Sequence, residues 1–364
     1  MIRVLHSELQ GYIGGIESFL LNLTKTIDKT DLQFDFLMRG DNSYLEATLR
    51  SYGANIYKVP TGMVNYRKFI KNILIHGQYD FVHVHKNSAA NIVLPLMVKK
   101  YTNAKLIVHS HNTDPSNGSK IAILLHKINK NKLIQLSDYR FACSNIAASW
   151  MFGDDYNKNN VRIIKNGIIS QDYVYNPKIR SKIRTEMGLK NKFVIGHVGA
   201  FREQKNHKFL LKLFSQLNIP NAVLILVGDG PLRDMIKNYA KELNIQDRVI
   251  LLGSRNDVNN LLQAFDVFVM PSLWEGLGIA AIEAQASGLP TLVSSNFPSN
   301  VKITDQLYFL PLQSQLWIKK INEIANKKEH NRFNNSELVK KAGYDMQLSS
   351  QKVRDVYIGK TNYE

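Results

Sequence analysis

The sequence predicts an α/β protein with two domains, each built on a doubly wound parallel sheet. Short apolar runs of strand length alternate with stretches of helical period along nearly the whole chain. This is the pattern of parallel strands covered by helices on both faces. The runs form two series of similar spacing, and 364 residues are too many for one core of typical size. We therefore expect two similar halves.

The strands are predicted from apolar runs bounded by polar or turn-forming residues. In the N-terminal half they lie at 2–6, 33–38, 79–85, 105–109 and 139–143. In the C-terminal half they lie at 193–198, 222–227, 248–252, 266–270, 291–294 and 307–310. Between the halves, residues 157–192 have little apolar periodicity and carry Pro177, which favours a connection there. We place the boundary between residues 165 and 166.

Composition excludes several classes of protein. The chain carries 47 Lys and Arg against 30 Asp and Glu, a formal charge of +17, which favours an anionic partner. Its only cysteine is Cys143, so an internal disulfide framework and a CxxC site are excluded. No uncharged run is suited to a transmembrane helix, and the N-terminus does not resemble a secretory signal. We expect a cytoplasmic protein.

Positive charge is concentrated in residues 61–140, which hold 12 Lys or Arg and 3 Asp. Within this region, residues 120–136 mix bulky apolar side chains with four lysines, as do helices that lie on an anionic membrane. An ordinary core-facing helix with a solvated basic face has the same composition. Both interpretations stay open for Lys120, Lys127, Lys130 and Lys132.

A glycine loop follows the apolar strand 266–270. Gly276 and Gly278 precede a helix, so free backbone N–H groups and the positive end of the helix dipole could bind a phosphate. Glu275 and Glu283 flank this helix start, and a carboxylate accepts hydrogen bonds from a sugar diol. A plain turn into a packed helix is the alternative, but the strand–loop–helix context favours the phosphate site.

Two further loops carry groups suited to a diphosphate. Arg202 and Lys205 follow the strand 193–198 and could stabilise the charge of a diphosphate leaving group. Near the N-terminus, Gly14 and Gly15 follow the first predicted strand and open a helix, so their backbone could bind the same diphosphate. The turn at 228–231 is given no catalytic role. Neither half has the full glycine spacing of a dinucleotide oxidoreductase.

Histidines occur as two His-x-His pairs, at 83–85 and at 109–111. Residues two apart on a strand face the same way, so either pair could bind zinc. No Asp or Glu lies within two residues of either pair, no cysteine is near, and the chain contains no Asp-x-Asp pair. We therefore expect no metal site and no cofactor, and favour a polar, non-metal role for His111.

Taken in order, six motifs resemble those of retaining glycosyltransferases of family four, particularly those that build bacterial capsular polysaccharides and exopolysaccharides. The resemblance covers nearly the whole chain and includes the family's E-x7-E signature. The motifs are GGIE at 14–17, VHSHN at 108–112, KNG at 165–167, VGAFREQKNH at 198–207, LVGDGPLR at 226–233 and EGLGIAAIE at 275–283.

This resemblance implies the GT-B fold, in which two Rossmann-like domains face a central cleft. An acceptor domain would span 1–165, with a C-terminal helix at 345–364 packed back on it, and a donor domain would span 166–344. The donor implied by the resemblance is a nucleoside diphosphate sugar, and more specifically a UDP-sugar. The implied acceptor is a lipid-linked or growing glycan at an anionic membrane surface, reached by a peripheral protein. No metal is implied.

The resemblance also implies residue roles. Glu275 would hold the donor sugar and Glu283 the ribose, while Arg202 and Lys205 would bind the diphosphate. His111 would reach the transferred sugar. The anomeric configuration would be retained without a dedicated protein base. Further donor contacts are implied for Gly14, Gly15, Asn166, Leu252, Gly253, Ser254, Gly276, Leu277, Gly278 and Ile279.

One position departs from the family pattern. Relatives carry the phosphate arginine where this chain has Ala200, and Arg202 comes two residues later. In an extended chain both positions face the same way, so Arg202 can substitute; a sharp turn after Gly199 would shift the role to Lys205. Two other functions stay open: a basic nucleic-acid-binding protein, and a metal-dependent hydrolase using the His-x-His pairs. We expect no nucleic-acid partner, because the charge is concentrated away from the glycine loops.

Overall fold

The chain divides into two units in the computed structural model, which describes residues 1–11, 14–111, 119–327 and 332–360. Unit 1 comprises Met1–Gly167 and Asp345–Glu364, and unit 2 comprises Ile168–Tyr344. The first crossing between units lies two residues after the position expected from the sequence. Each unit is an α/β structure with its own parallel sheet, as the alternation of apolar runs predicts.

Unit 1 contains a seven-stranded parallel sheet in the order β3-β2-β1-β4-β5-β6-β7. The order reverses between β1 and β4, so the chain leaves these neighbouring strands in opposite directions and opens a crevice at their carboxyl ends. The strands are β1 (Ile2–Leu9), β2 (Leu32–Met38), β3 (Asn55–Lys58), β4 (Phe81–Lys86), β5 (Lys105–Ser110), β6 (Tyr139–Ala142) and β7 (Val161–Ile163).

Unit 2 contains a six-stranded parallel sheet in the order β10-β9-β8-β11-β12-β13. Its order reverses between β8 and β11, which places the loops after these two strands beside each other. The strands are β8 (Phe193–Val198), β9 (Ala222–Val227), β10 (Val249–Gly253), β11 (Val267–Met270), β12 (Thr291–Ser294) and β13 (Leu307–Leu310).

Helices connect successive strands in both units. Those of unit 1 are α1 (Gly15–Thr26), α2 (Ser43–Ser51), α3 (Met63–His76), α4 (Val93–Tyr101), α5 (Lys120–Leu136) and α6 (Asn145–Phe152). Those of unit 2 are α7 (Pro177–Glu186), α8 (His207–Ser215), α9 (Arg233–Glu242), α10 (Val258–Ala264), α11 (Ile279–Ala286), α12 (Ser314–Ala325) and α13 (Ser336–Lys341). None of the helices that the structure describes combines the length and the apolar character needed to cross a membrane.

The core of unit 2 lies on both faces of its sheet. The central strand β9 is buried along its whole length, which explains its uninterrupted apolar sequence AVLILV. Phe265 and Phe268 lie in the layer on one side, and Phe214 and Trp317 lie in the layer on the other. Two buried layers hold the sheet rigid and fix the loops at its carboxyl edge.

The predicted connection at 157–192 is wrong in part, because it contains β7 and α7. β7 has three residues, all half-buried, so it has no apolar periodicity to detect. In α7, Pro177 stands at the first turn, where proline favours a helix, and the side chain of Asn176 accepts hydrogen bonds from the N–H groups of Lys178 and Ile179. A residue taken as a helix breaker is thus part of a helix start.

A last helix, α14 (Met346–Tyr357), returns to unit 1 and packs on α1. Ser349 donates a hydrogen bond to the carbonyl of Lys165 at 2.7 Å, and Arg354 pairs with Asp28 at 2.9 Å. The helix is shorter than the expected 345–364: it ends at Tyr357, and Gly359 follows with a φ of +73°, typical of a helix C-terminus. Residues 361–364 lie outside the described part of the chain.

Candidate active site

The loops after β8 and β11 meet in unit 2, at the point where the strand order reverses. Leu273 donates its N–H to the carbonyl of Gln204 at 2.8 Å, and the Gln204 side chain donates to the carbonyl of Trp274 at 2.9 Å. Asn206, in the left-handed conformation, donates to the carbonyl of Pro271 at 3.1 Å. These bonds hold the predicted phosphate loop and the predicted glycine loop in contact.

Lys205 and Glu275 form a shielded ion pair between these two loops. The Lys205 Nζ and Glu275 Oε1 atoms are 2.5 Å apart, and the side chains are 15% and 6% exposed. The sequence assigns Lys205 to the diphosphate and Glu275 to the donor sugar, but it does not predict that they touch, because they are 70 residues apart. A charged pair held this way at the carboxyl edge of the sheet presents both signs of charge to one ligand.

Arg202 takes a different position from Lys205. The chain turns sharply after Gly199: Phe201 is buried and donates to the carbonyl of Asp229 at 2.9 Å, and the N–H of Arg202 donates back to Ala200 at 2.8 Å. Arg202 and Ala200 are both exposed. Among the residues that the structure describes, the Arg202 side chain has no ion pair or hydrogen bond. Lys205 is therefore the cation fixed at the glycine loop.

The turn at 228–231 supports this arrangement sterically. Gly228 has a φ of +136°, and a Cβ atom there would lie 2.1 Å from the carbonyl oxygen of Gly199. Its N–H donates to the carbonyl of Gly253 at 2.8 Å, where β10 ends. Leu252, Gly253 and Ser254, for which the resemblance implies donor contacts, thus lie at the same edge of the sheet. The structure gives this turn a packing role.

Gly278 directly precedes α11, and the backbone and packing at this position leave no room for a side chain. Its φ is +73°, and a Cβ atom would lie 2.3 Å from Cε1 of Phe297. Gly276 differs, because a Cβ there would meet no described atom within 4 Å. At the start of α11, the N–H groups of Ile279 and Ala280 precede the first bonded one, since the N–H of Ala281 donates to the carbonyl of Gly278 at 2.9 Å. The segment 276–279, including Leu277, can therefore receive an anion.

Glu283 lies on α11 and accepts a hydrogen bond from the hydroxyl of Tyr173 at 2.8 Å. Burial raises the pKa of Glu283 to about 7, and the hydrogen bond from Tyr173 acts in the opposite direction. Burial also raises the pKa of Tyr173, so that this hydroxyl keeps its proton and remains a donor. Tyr173 was missed by sequence reasoning, since it falls in the segment interpreted as a connection.

In unit 1, the N-terminus of α1 is organised by Glu17. Its carboxylate accepts the N–H of Gln10 at 2.9 Å and that of Gly14 at 3.0 Å. Burial raises the pKa of Glu17, and these hydrogen bonds lower it. A Cβ atom at Gly15 would meet open space. Of the sequence motif at 11–17, residues 12 and 13 lie outside the described part of the chain.

The two His-x-His pairs come together with a further histidine in unit 1. His6 on β1 aligns with His83 on β4, and His85 on β4 aligns with His109 on β5. The sequence shows the pairs, but the position of His6 follows from the strand order, which places β1 beside β4. We call the following residues the histidine cluster: His6, His83, His85, His109 and His111.

His111 lies at the end of this cluster, where β5 has ended. Its Nε2 is 2.9 Å from Nδ1 of His85. Burial lowers the pKa of His111 to about 3, and the side chain of Asn166 acts weakly in the opposite direction. His111 is therefore neutral at physiological pH and can donate or accept a hydrogen bond, but it cannot supply a positive charge. The predicted residues His111 and Asn166 are neighbours.

Helix α5 exposes apolar side chains to solvent. Its buried side chains are His126 and Leu133, and Ile134 and Leu136 also pack against the core of unit 1. The core-facing and the membrane-binding interpretations of α5 both stay predictions. The exposed set, which we call the α5 apolar strip, comprises Ile121 (71% exposed), Leu124 (58%), Leu125 (41%) and Ile128 (63%).

The four lysines of α5 do not share one environment. Lys120, Lys127 and Lys132 are exposed, Lys127 directly beside Ile128 of the α5 apolar strip. Lys130 is half-buried and donates to the carbonyl of Ser149 at 3.2 Å, and burial lowers its pKa. Lys130 therefore does not belong with the solvent-facing lysines. Helical spacing alone does not show that its ammonium group donates a hydrogen bond to α6.

Two family models match the chain: Glycosyltransferase Family 4 over residues 13–171, and Glycosyl transferases group 1 over residues 179–337. Putative glycosyltransferase EpsF of Bacillus subtilis is 31% identical, over 98% of this chain and 96% of its own length. UDP-Gal:alpha-D-GlcNAc-diphosphoundecaprenol alpha-1,3-galactosyltransferase of Escherichia coli is 24% identical, over 98% and 97%. Capsular polysaccharide biosynthesis glycosyltransferase CapH of Staphylococcus aureus is 25% identical, over 99% and 100%.

Among solved structures, Anabaena Alr3699/HepE in complex with UDP and glucose superposes with a TM-score of 0.80. The alignment covers 99% of this chain and 100% of that chain, at 20% sequence identity. At this identity the similarity shows the fold alone.

Proposed function

Because the chain belongs to glycosyltransferase family 4 and has the GT-B fold, we propose that it transfers a sugar from a UDP-sugar to a lipid-linked glycan during synthesis of a cell-surface polysaccharide. The UDP donor is supported by the galactosyltransferase relative and by the solved neighbour, whose names include UDP. The lipid-linked acceptor and the pathway are supported by the names of the galactosyltransferase and CapH.

The observation that carries the proposal is the Lys205–Glu275 pair beside the N-terminus of α11. A diphosphate at residues 276–279 gives Lys205 a second anion within reach, and Glu275 is then free to accept hydrogen bonds from the sugar hydroxyls. Lys205 then stabilises the negative charge of the departing diphosphate, while Glu275 orients the transferred sugar. A ligand carrying both a sugar and a diphosphate satisfies both.

The proposed reaction retains the anomeric configuration and needs no metal ion and no protein base. The leaving phosphate oxygen accepts the proton of the incoming acceptor hydroxyl as the bond to the anomeric carbon breaks and the new bond forms on the same face. Lys205 and the α11 N–H groups stabilise the negative charge that develops on the diphosphate. His111, neutral because of burial, is proposed to bond a hydroxyl of the transferred sugar.

The donor proposal is tested by thermal unfolding with UDP, GDP, ADP and their sugar conjugates, each with and without EDTA. A ligand that binds only the folded protein raises the melting temperature. At 100 times its Kd, such a ligand adds about 2.7 kcal/mol to the free energy of unfolding. We expect UDP and one UDP-sugar to give the largest shifts, undiminished by EDTA. Stabilisation only by another nucleotide contradicts the UDP assignment, and no shift with any nucleotide contradicts the donor site itself.

Glu283 leads to a prediction about pH. Its carboxylate is proposed to accept the ribose hydroxyls, and its pKa of about 7 leaves it largely protonated at pH 6 and ionised at pH 8. We expect affinity for a UDP-sugar to rise over this range by up to about tenfold, the equivalent of one pKa unit. Isothermal titration measures it, with a UDP-sugar rather than UDP, because a terminal phosphate itself titrates near pH 6.

Two variants make this pH test specific. Glu283→Gln should bind more weakly and lose the slope. Tyr173→Phe removes the hydrogen bond that lowers the Glu283 pKa. In this variant the midpoint of the pH dependence of UDP-sugar affinity should therefore move to higher pH. An identical slope in wild type and Glu283→Gln would assign the titration to another group.

The acceptor side of the proposal places unit 1 against an anionic membrane through the α5 apolar strip and the lysines beside it. Replacing both Leu124 and Ile128 by Ser should weaken binding to phosphatidylglycerol vesicles at least about tenfold, since each buried aliphatic side chain contributes about 1.5–3 kcal/mol. Leu348→Ser is the matched control, because Leu348 is also exposed but lies on α14. Vesicle sedimentation unchanged in the double variant would rule out this surface.

A further inference from the structure

The histidine cluster has more ring nitrogens than it has hydrogen bonds. His6 Nδ1 lies 3.1 Å from His85 Nε2, His85 Nδ1 lies 2.9 Å from His111 Nε2, and His83 Nδ1 lies 2.6 Å from the hydroxyl of Tyr357. Among the described residues, five other buried ring nitrogens have no hydrogen bond of normal geometry: Nε2 of His6, Nε2 of His83, both nitrogens of His109 and Nδ1 of His111. Of these rings, His109 still interacts with the backbone of Ile164, and His111 with the side chain of Asn166.

This surplus is unusual for buried polar atoms. Leaving a buried donor or acceptor unpaired costs about 1–3 kcal/mol, so most buried polar groups have partners. A neutral imidazole has one protonated ring nitrogen and one with a free lone pair. A metal ion bound by histidine requires neutral imidazole with a free lone pair.

Three members of the cluster have the spacing of a metal site. One ring nitrogen each from His85, His109 and His111 lie within 4.8 Å of one another, and the rings of His109 and His111 are centred 4.0 Å apart. Nitrogens bound to one zinc ion at 2.0–2.1 Å lie about 3.3 Å apart. The His85–His111 contact at 2.9 Å is already that close, so rotation of the His109 ring completes the set.

We propose that His85, His109 and His111 bind one divalent late transition metal ion such as Zn²⁺. Three imidazoles with an open position are an established zinc geometry, and a site without thiolate or carboxylate selects against Mg²⁺ and Ca²⁺. His111 is the least buried of the three and stands at the end of β5. His6 and His83 are fully buried, so the second triplet, formed with His85, is less accessible.

This proposal departs from the expectation that the His-x-His pairs hold no metal. That expectation treated each pair separately, whereas the sheet register places His85 beside His109. The ion has no part in the proposed transfer. If His111 bonds the transferred sugar, which rests on the proposed function, a bound ion occupies that residue and inhibits the enzyme.

Metal binding is measured directly on the full-length protein after treatment with chelator and dialysis. Zn²⁺ is titrated in competition with a chromogenic chelator, and Co²⁺ absorption reports the coordination geometry. We expect one ion per chain and a tetrahedral Co²⁺ spectrum. His111→Gln and His109→Leu should weaken binding by about 100-fold or more, whereas His76→Gln, on the surface at the end of α3, should bind as wild type does.

Several outcomes would overturn the assignment. Absence of stoichiometric Zn²⁺ and Co²⁺ binding excludes the site. Equal binding by wild type and His111→Gln, a change at a partly exposed position that should not prevent folding, places the ion elsewhere; loss of binding only in His6→Phe assigns it to the deeper triplet. Because binding is read without substrate, a failure of the UDP assignment leaves this result unaffected, and the reverse also holds.

Discussion

Replacing Glu275 by Gln should reduce kcat at least about 100-fold and leave affinity for UDP unchanged or stronger. The Glu275 carboxylate is proposed to orient the transferred sugar, which free UDP does not carry. Loss of this carboxylate therefore affects transfer rather than UDP binding. In the wild type Lys205 must exchange Glu275 for the diphosphate. In the variant this partner has lost its charge, and Lys205 is available to UDP. Losses of 100- to 1000-fold are typical when one group that stabilises a transition state is removed.

The measurement combines initial rates with isothermal titration of UDP. Glu203→Gln is the matched control: Glu203 is an exposed acid in the same loop as Lys205, and its removal changes the net charge equally. Gln at position 275 keeps an acceptor for Lys205, so we expect stability to fall by only about 1–3 kcal/mol. A parallel loss of UDP affinity and of kcat would contradict the division of roles between Glu275 and Glu283.

Exchanging Gly278 for Ala should destabilise unit 2 by about 2–5 kcal/mol. A left-handed φ costs an L-residue about 1–2 kcal/mol, and overpacking against a core side chain costs about 1–3 kcal/mol. Here the new Cβ would lie 2.3 Å from the Phe297 ring. Thermal unfolding should show a fall of about 5 °C or more. Adding Phe297→Leu to the Gly278→Ala variant should restore the stability lost through the clash with the ring. The stability lost through the left-handed φ at position 278 should not be restored.

Gly276→Ala is the informative control, because it separates folding from binding. A Cβ at position 276 meets open space, so the melting temperature should be unchanged. If the diphosphate approaches this backbone, the same methyl group should weaken UDP binding. Full UDP affinity in Gly276→Ala would place the diphosphate away from the loop, and a stable Gly278→Ala variant would contradict the steric account.

The fold was largely predictable because the central strands are buried on both faces. Such strands are uninterrupted apolar runs, and 193–198, 222–227 and 291–294 are strands with those same bounds. The edge strand 307–310 was also predicted with its observed bounds. The edge strand β3 and the three-residue β7 were missed. In β3 only Ile56 is buried, so its sequence does not differ from that of a loop.

The candidate site was predictable as a set of residues but not as a set of contacts. The glycines and acids are visible because a strand, a turn and a helix follow one another within a few positions. The pairs Lys205–Glu275 and Tyr173–Glu283 join residues 70 and 110 positions apart, and they depend on strand order, which no local pattern reports. Arg202 shows the same limit, since one turn after Gly199 decides where it points.

The return of α14 to unit 1 has a consequence for how the protein is made. Tyr357 fills the base of the histidine cluster, with its ring beside Phe34, Phe81 and His83, so the core of unit 1 is incomplete until α14 has been synthesised. Unit 2 must be translated first, and its 177 residues (168 to 344) take roughly 10–35 s at 5–20 residues per second. During that interval the rings of unit 1 that Tyr357 later covers lack this partner.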